Sequence, residues 1–126
     1  MKKFLTIQAL ILTMIFVACQ NKSDNPENLV VIVKYKAQPN KIIDAVDRIK
    51  LLIEDVKKEE HFVEIKLHID PKDNSNILLY EVWEDESYYK NQHMKTDHLE
   101  KFIVDSQAFL MGPPEISFWK NNMTYK

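Results

Sequence analysis

Apolar and polar positions follow one another along this chain in patterns that mark out most of its elements. Leu29-Val30-Val31-Ile32-Val33-Lys34-Tyr35-Lys36 is β-branched and aromatic and begins to alternate at its end, which predicts a strand. Pro39 and Asn40 break it and open a helix. Ile42, Val46, Ile49, Ile53 and Val56 then recur at spacings of three and four, with Ala45 and Leu52 widening the stripe. Asp44, Asp47, Lys50, Glu54, Lys57 and Lys58 take the opposite, solvated face, so the pattern predicts a one-sided helix of about 18 residues. A second strand is expected from about His61 to Ile69, with Val63, Ile65, Leu67 and Ile69 on one face and Phe62, Glu64, Lys66 and His68 on the other. The turn cluster Pro71-Lys72-Asp73-Asn74-Ser75-Asn76 joins it in a hairpin to a third strand, Ile77 to Glu84.

The second half is more broken. Asp85 or Ser87 starts a short helix reaching about His93. Thr96 or Asp97 caps another, with Glu100 placed to close a capping box and Leu99, Phe102, Ile103 and Phe109-Leu110 as its apolar side. Gly112-Pro113-Pro114 stops it, and Ile116 and Phe118 alternate with Ser117 and Trp119 in a closing strand. The order is β-α-β-β-α-β. With right-handed crossovers this is an α+β, ferredoxin-like arrangement: a four-stranded antiparallel sheet with helices on one face. The other sheet face carries apolar residues and has no helix to cover it. About 90 residues cannot hide both faces alone, so a homodimer packed through the sheet face is expected.

The N-terminus reads differently. Lys2 and Lys3 precede an apolar stretch from Phe4 to Ala18, short for a membrane span, after which polarity changes abruptly at Gln20-Asn21-Lys22-Ser23. Residues 1–18 therefore read as an export signal. Phe16-Val17-Ala18-Cys19 resembles the cleavage box of a bacterial lipoprotein, with Cys19 as the lipidated residue. This implies a chain lipid-anchored in the cell envelope, at the outer membrane of a Gram-negative bacterium. Residues 19–28 are then a polar tether, 29–120 the folded domain and 121–126 a C-terminal tail.

Composition narrows the chemistry. Among 126 residues there is one glycine, Gly112, which excludes the glycine-rich loops of dinucleotide and P-loop sites. The single cysteine excludes an internal disulfide, a CxxC redox pair and a thiolate zinc site. A net charge of -2 and a single arginine, Arg48, leave no basic stripe, so nucleic acid is not an expected partner. His93 and His98 lie five apart across a helix boundary, and His61 and His68 lie near opposite ends of one strand, so no metal site is expected. There is no nucleophile elbow for a serine hydrolase.

Three stretches resemble the antibiotic biosynthesis monooxygenase superfamily, small dimeric α+β barrel proteins. They are Val31-Ile32-Val33-Lys34-Tyr35-Lys36 followed by Pro39-Asn40-Lys41; Leu79-Tyr80-Glu81-Val82-Trp83-Glu84-Asp85-Glu86; and His93-Met94-Lys95-Thr96-Asp97-His98-Leu99. The chain departs from the family pattern at His61, where a glycine is usual, and in a gap from Trp83 to His93 that is one residue longer. Leu79 stands where members that oxidise polycyclic phenols carry asparagine, and the first strand lacks the asparagine of haem-degrading relatives.

The resemblance implies a cofactor-free oxygenase. Ground-state O₂ reacts slowly with closed-shell molecules, and a flavin or metal normally overcomes this. No flavin fingerprint is present, so the substrate itself must supply electrons, as a deprotonated quinol or phenol does. His98 is the first candidate for general base and His93 the second. Glu81 is placed to orient a histidine or accept a substrate hydroxyl. Trp83 and Leu79 share its strand face as walls for a ring, and Tyr88 and Tyr89 are further lining candidates. The expected ligands are a small aromatic substrate and O₂, with no bound cofactor. A non-catalytic binding or sensing dimer is the alternative, and haem binding through His93 or His98 a further one.

Overall fold

The computed structural model describes residues 21–126; the expected signal and Cys19 lie outside the described residues. Four strands form one open antiparallel sheet in the order β2-β3-β1-β4. They are β1 (Leu29–Lys36), β2 (Phe62–Ile69), β3 (Asn76–Trp83) and β4 (Glu115–Lys120). Helices α1 (Ile42–Val56), α2 (Glu86–Asn91) and α3 (Asp97–Asp105) make up the rest. This is the expected ferredoxin-like α+β fold.

Period-two alternation sorts the sheet into two faces. Leu29, Val31, Val33 and Tyr35 of β1 lie with Ile77, Leu79, Glu81 and Trp83 of β3 on the helix side, paired across the ladder. α1 covers that face with Ala45, Ile49, Leu52 and Val56, all buried, flanked by Ile42, Val46 and Ile53. The stripe therefore folds as the sequence predicts, and each buried aliphatic contributes on the order of 1.5–3 kcal/mol. On the far face, Val30 and Val82 are buried, Ile32, Leu78 and Tyr80 are half-exposed, and Trp119 is exposed.

The structure departs from the sequence reading in several places. A bulge between Phe62 and Glu64 shifts the start of β2 by one residue. Phe62, not Val63, therefore joins Ile65 and Leu67 against the core, its ring edge-on to Trp83 at 5.8 Å. α3 ends at Asp105, well before Gly112. A 3-10 turn, Ser106–Ala108, follows, and Leu110 then bridges to Ala37 beside β1, so Phe109 reaches the core from the turn and Leu110 from the bridge. The polar residues expected to form only a tether are partly ordered. A 3-10 turn spans Lys22–Asp24, the Asn28 amide donates to the Lys22 carbonyl at 2.8 Å, and Lys120 donates to the Glu27 carbonyl at 2.9 Å. Hydrogen bonds, not apolar burial, hold this segment.

Two features of the connections position the site. After α1 the chain tightens through Lys58 N–H to Asp55 O and Glu59 N–H to Val56 O, at 3.1 and 3.0 Å. It then reverses at His61, whose φ is 63°. Histidine thus occupies the left-handed conformation that glycine takes more easily, and the turn survives the substitution at a cost of about 1–2 kcal/mol. The chain between Trp83 and His93 is not one continuous helix. α2 stops at Asn91, and a separate 3-10 turn, His93–Lys95, brings His93 back over Trp83 with ring centroids 4.6 Å apart.

Candidate active site

A cavity of about 350 Å³ lies between the sheet and the helices. Val33, Leu79 and Ile65 form its sheet side, Leu52, Ile53 and Val56 its α1 side, and Leu99, Phe102 and Met94 much of the remainder. Exposed Ile103, Gln107, Gly112 and Pro113 are also walls, so the cavity opens towards solvent along the segment after α3. Six polar side chains interrupt this apolar lining: buried Tyr35, Glu81, Tyr89 and His93, and Ser106 and Gln107 on the segment after α3.

Among the described residues no buried side-chain nitrogen or oxygen lacks a partner. The Tyr35 and Tyr89 hydroxyls, the Oε1 of Glu81 and the Nε2 of His93 bond no protein group. Tyr35, Tyr89, Glu81 and His93 are nevertheless almost wholly buried, so these atoms open onto the cavity they line. Burial and the neighbouring Glu81 carboxylate push both tyrosine hydroxyls well above the usual phenol range, so they remain donors.

Glu81 accepts one hydrogen bond, from the Trp83 indole N–H to Oε2 at 2.9 Å. Burial raises its pKa from the ordinary 4.5 to about 7, opposed by the indole hydrogen bond and reinforced by the negative charge of Glu59. Near neutral pH it can therefore present a proton to the cavity.

The histidines are held by a residue the sequence reading did not single out. Glu59, with its side chain only 6% exposed, sits between them. Its Oε2 lies 3.0 Å from His93 Nδ1 and 2.8 Å from His98 Nε2, and the Tyr88 hydroxyl donates to Oε1 at 3.2 Å. An ionised carboxylate only accepts, so His93 carries its proton on Nδ1 and His98 on Nε2. The Nε2 lone pair of His93 is then directed to the cavity. Burial pulls the His93 imidazole below the usual histidine range, with Glu59 acting in the opposite direction. The arrangement is that of an imidazole base held in one tautomer by a buried carboxylate.

The expected site residues thus divide. His93, Glu81, Leu79 and Tyr89 line the cavity. His98, a quarter exposed, stands behind Glu59 and does not line it. Trp83 is fully buried, ringed by Phe62, Tyr88, Tyr89 and His93, and supports Glu81 instead of forming a wall. Tyr88 holds Glu59. Tyr35 was not anticipated as a lining residue. Its alternation with Val33 places it on the same face and could have shown this.

The model of the antibiotic biosynthesis monooxygenase family matches residues 28–104. The chain belongs to this family. No curated protein matches the sequence significantly. Among solved structures, a conserved protein from Methanosarcina mazei superposes with a TM-score of 0.68 at 23% identity, over 75% of this chain and 93% of its own. A protein from Pseudomonas aeruginosa gives 0.69 at 21% identity, over 76% and 95%. A structure named antibiotic biosynthesis monooxygenase gives 0.67 at 20% identity, over 74% and 97%. At these identities the likeness is one of fold. Family membership points to a monooxygenase-type function and a small-molecule ligand.

Glu81 gives a stability test with a defined sign. Its folded pKa of about 7 lies above the ordinary 4.5, so the native state binds the proton more tightly than the unfolded chain. That contribution is full below about pH 4.5 and is lost as pH rises through about 7. Glu81→Gln removes it. In urea unfolding, the stability of Glu81→Gln relative to the parent should improve by about 3 kcal/mol between about pH 4.5 and about pH 8. Parallel pH profiles for the two proteins would show that Glu81 is not held protonated.

Proposed function

We propose that this protein is a cofactor-independent monooxygenase acting on a quinol or related phenol. The observation that carries the reading is the meeting, in one apolar cavity, of the unpaired His93 nitrogen and a set of proton donors. A phenol of ordinary pKa, about 10, lies some 3.5 units above ordinary imidazole and further above the lowered His93, so ionising it costs at least about 5 kcal/mol. Hydrogen bonds donated to the resulting oxyanion by protonated Glu81, Tyr35 and Tyr89, at about 1.5–3 kcal/mol each, are of the right size to offset this. His93 takes the proton and Glu59 stabilises the imidazolium that results. The electron-rich anion then passes electrons to O₂. One oxygen atom enters a ring carbon and the other leaves as water, with all four electrons drawn from the ring, so the balance needs no external reductant. The apolar walls suit the body of the ring.

We place the working form as a dimer joined through the open sheet face. Half-exposed Ile32, Leu78 and Tyr80 and exposed Trp119 form a patch there, around buried Val30 and Val82, that α1, α2 and α3 do not cover. The signal-like N-terminus supports a chain lipidated at Cys19 and held in the cell envelope, at the outer membrane, near membrane-borne quinols.

Three measurements test this reading. Oxygen uptake with menadiol or a dihydroxynaphthoate, free of flavin and added metal, should be catalysed by the protein. His93→Gln should lower kcat/KM by about 10²–10⁴-fold. Tight quinol binding with no uptake would instead make the protein a binding module. Sedimentation should give a dimer for the parent and a monomer for Ile32→Glu; a monomeric parent contradicts the assembly. Intact-mass analysis of membrane-extracted protein should show loss of residues 1–18 and added acyl mass, and an unprocessed chain removes the anchor.

A further inference from the structure

The Glu59 cluster has a second chemical capacity. We propose that Glu59, His93 and His98 form a binding site for a divalent transition ion of the zinc class. One carboxylate oxygen, one Nδ1 and one Nε2 lie within 4.8 Å of one another. Two of the three separations, 3.0 and 2.8 Å, are already near the roughly 3.3 Å that neighbouring ligands keep around a tetrahedral zinc with bonds of about 2.0–2.1 Å. Only the two imidazoles must close further. Two nitrogen ligands and one carboxylate form a donor set that zinc favours and that magnesium and calcium do not.

The surroundings support the assignment. The Tyr88 hydroxyl on Oε1 fixes the carboxylate so that Oε2 stays directed at both rings, as a partner outside the ligand shell does in metal sites. The His98 side chain is a quarter exposed while the other two are nearly closed off, so an ion has a path in and room for a water as fourth ligand. The spacing of the histidines alone argued against a metal. The third ligand comes from the turn after α1, 34 residues before His93.

Loading also has a consequence for the cavity, and this part rests on the monooxygenase reading. Neutral imidazole carries one proton. An ion on Nδ1 of His93 moves that proton to Nε2, and the atom facing the cavity changes from acceptor to donor. No proton is lost overall, but the base is gone, so zinc acts as an inhibitor of the proposed oxidation.

The test uses the full-length chain, stripped with a chelator and titrated with zinc chloride by calorimetry. One zinc per chain is expected. Glu59→Gln and His98→Ala should each weaken binding by about tenfold or more, and His68→Ala, an exposed histidine of β2, should leave it unchanged. No stoichiometric binding to the parent, or equal binding by His98→Ala, overturns the site, as does a loss in His68→Ala as large as that in His98→Ala. The parent protein provides a check that needs no variant to fold. Saturating zinc should protect His98, but not His68, from modification by diethyl pyrocarbonate, and equal labelling with and without zinc overturns the proposal. These readings stand even if no oxygen uptake is found.

Discussion

A carboxylate taken out of water must be met by donors, or its burial costs several kcal/mol. Glu59 is met by three: the imidazoles of His93 and His98 and the hydroxyl of Tyr88. These partners come from α2, the turn after it, and the start of α3. The one interaction therefore ties the turn after α1 to α2, the turn after it and α3. Removing Glu59 would leave three donors facing each other in a poorly hydrated space. Removing any one donor would leave the carboxylate short of a partner. The aromatic packing around Trp83 builds on this fixed point, since His93 and Tyr88 both contact its ring.

The same constraint connects the fold to chemistry. Holding Nδ1 of His93 against Glu59 leaves the ring's other nitrogen for the cavity. Two carboxyl groups thereby acquire different tasks from different surroundings. Glu59 accepts three hydrogen bonds behind the imidazole, and Glu81 accepts one, faces apolar walls, and is pushed up to about 7. A base and a proton donor then face one hollow, the separation of roles that acid-base sites use. The donor geometry around Glu59 also explains why the same three side chains suit a transition ion.

Much of the fold was legible because its periods are clean. The two-residue alternation of β1 and β3 and the three-four spacing of Ile42 to Val56 each bury one face, and nothing in the packing overrides them. The bulge at Phe62 was not legible, because inserting one residue into a ladder leaves no mark on the hydrophobic pattern. The early end of α3 has a similar cause. Phe109 and Leu110 are apolar wherever they fall, and only the turn at Phe109 and the bridge from Leu110 to Ala37 show that they reach the core from outside the helix. At the site, the pairing of histidines with a carboxylate was anticipated but assigned to Glu81. Glu59 follows the charged run Glu54, Asp55, Lys57 and Lys58, which reads as solvated surface. Only the reversal at His61 folds it inward, and a left-handed histidine is a conformation that composition does not announce.

The chemistry of the cavity turns on which nitrogen of His93 holds its proton. Nitrogen-15 NMR of the imidazole side chains, recorded near neutral pH on metal-free protein, reads this directly. A neutral His93 ring with the proton on Nδ1 and an unprotonated Nε2 is expected. A ring protonated on Nε2, or on both nitrogens, would contradict it.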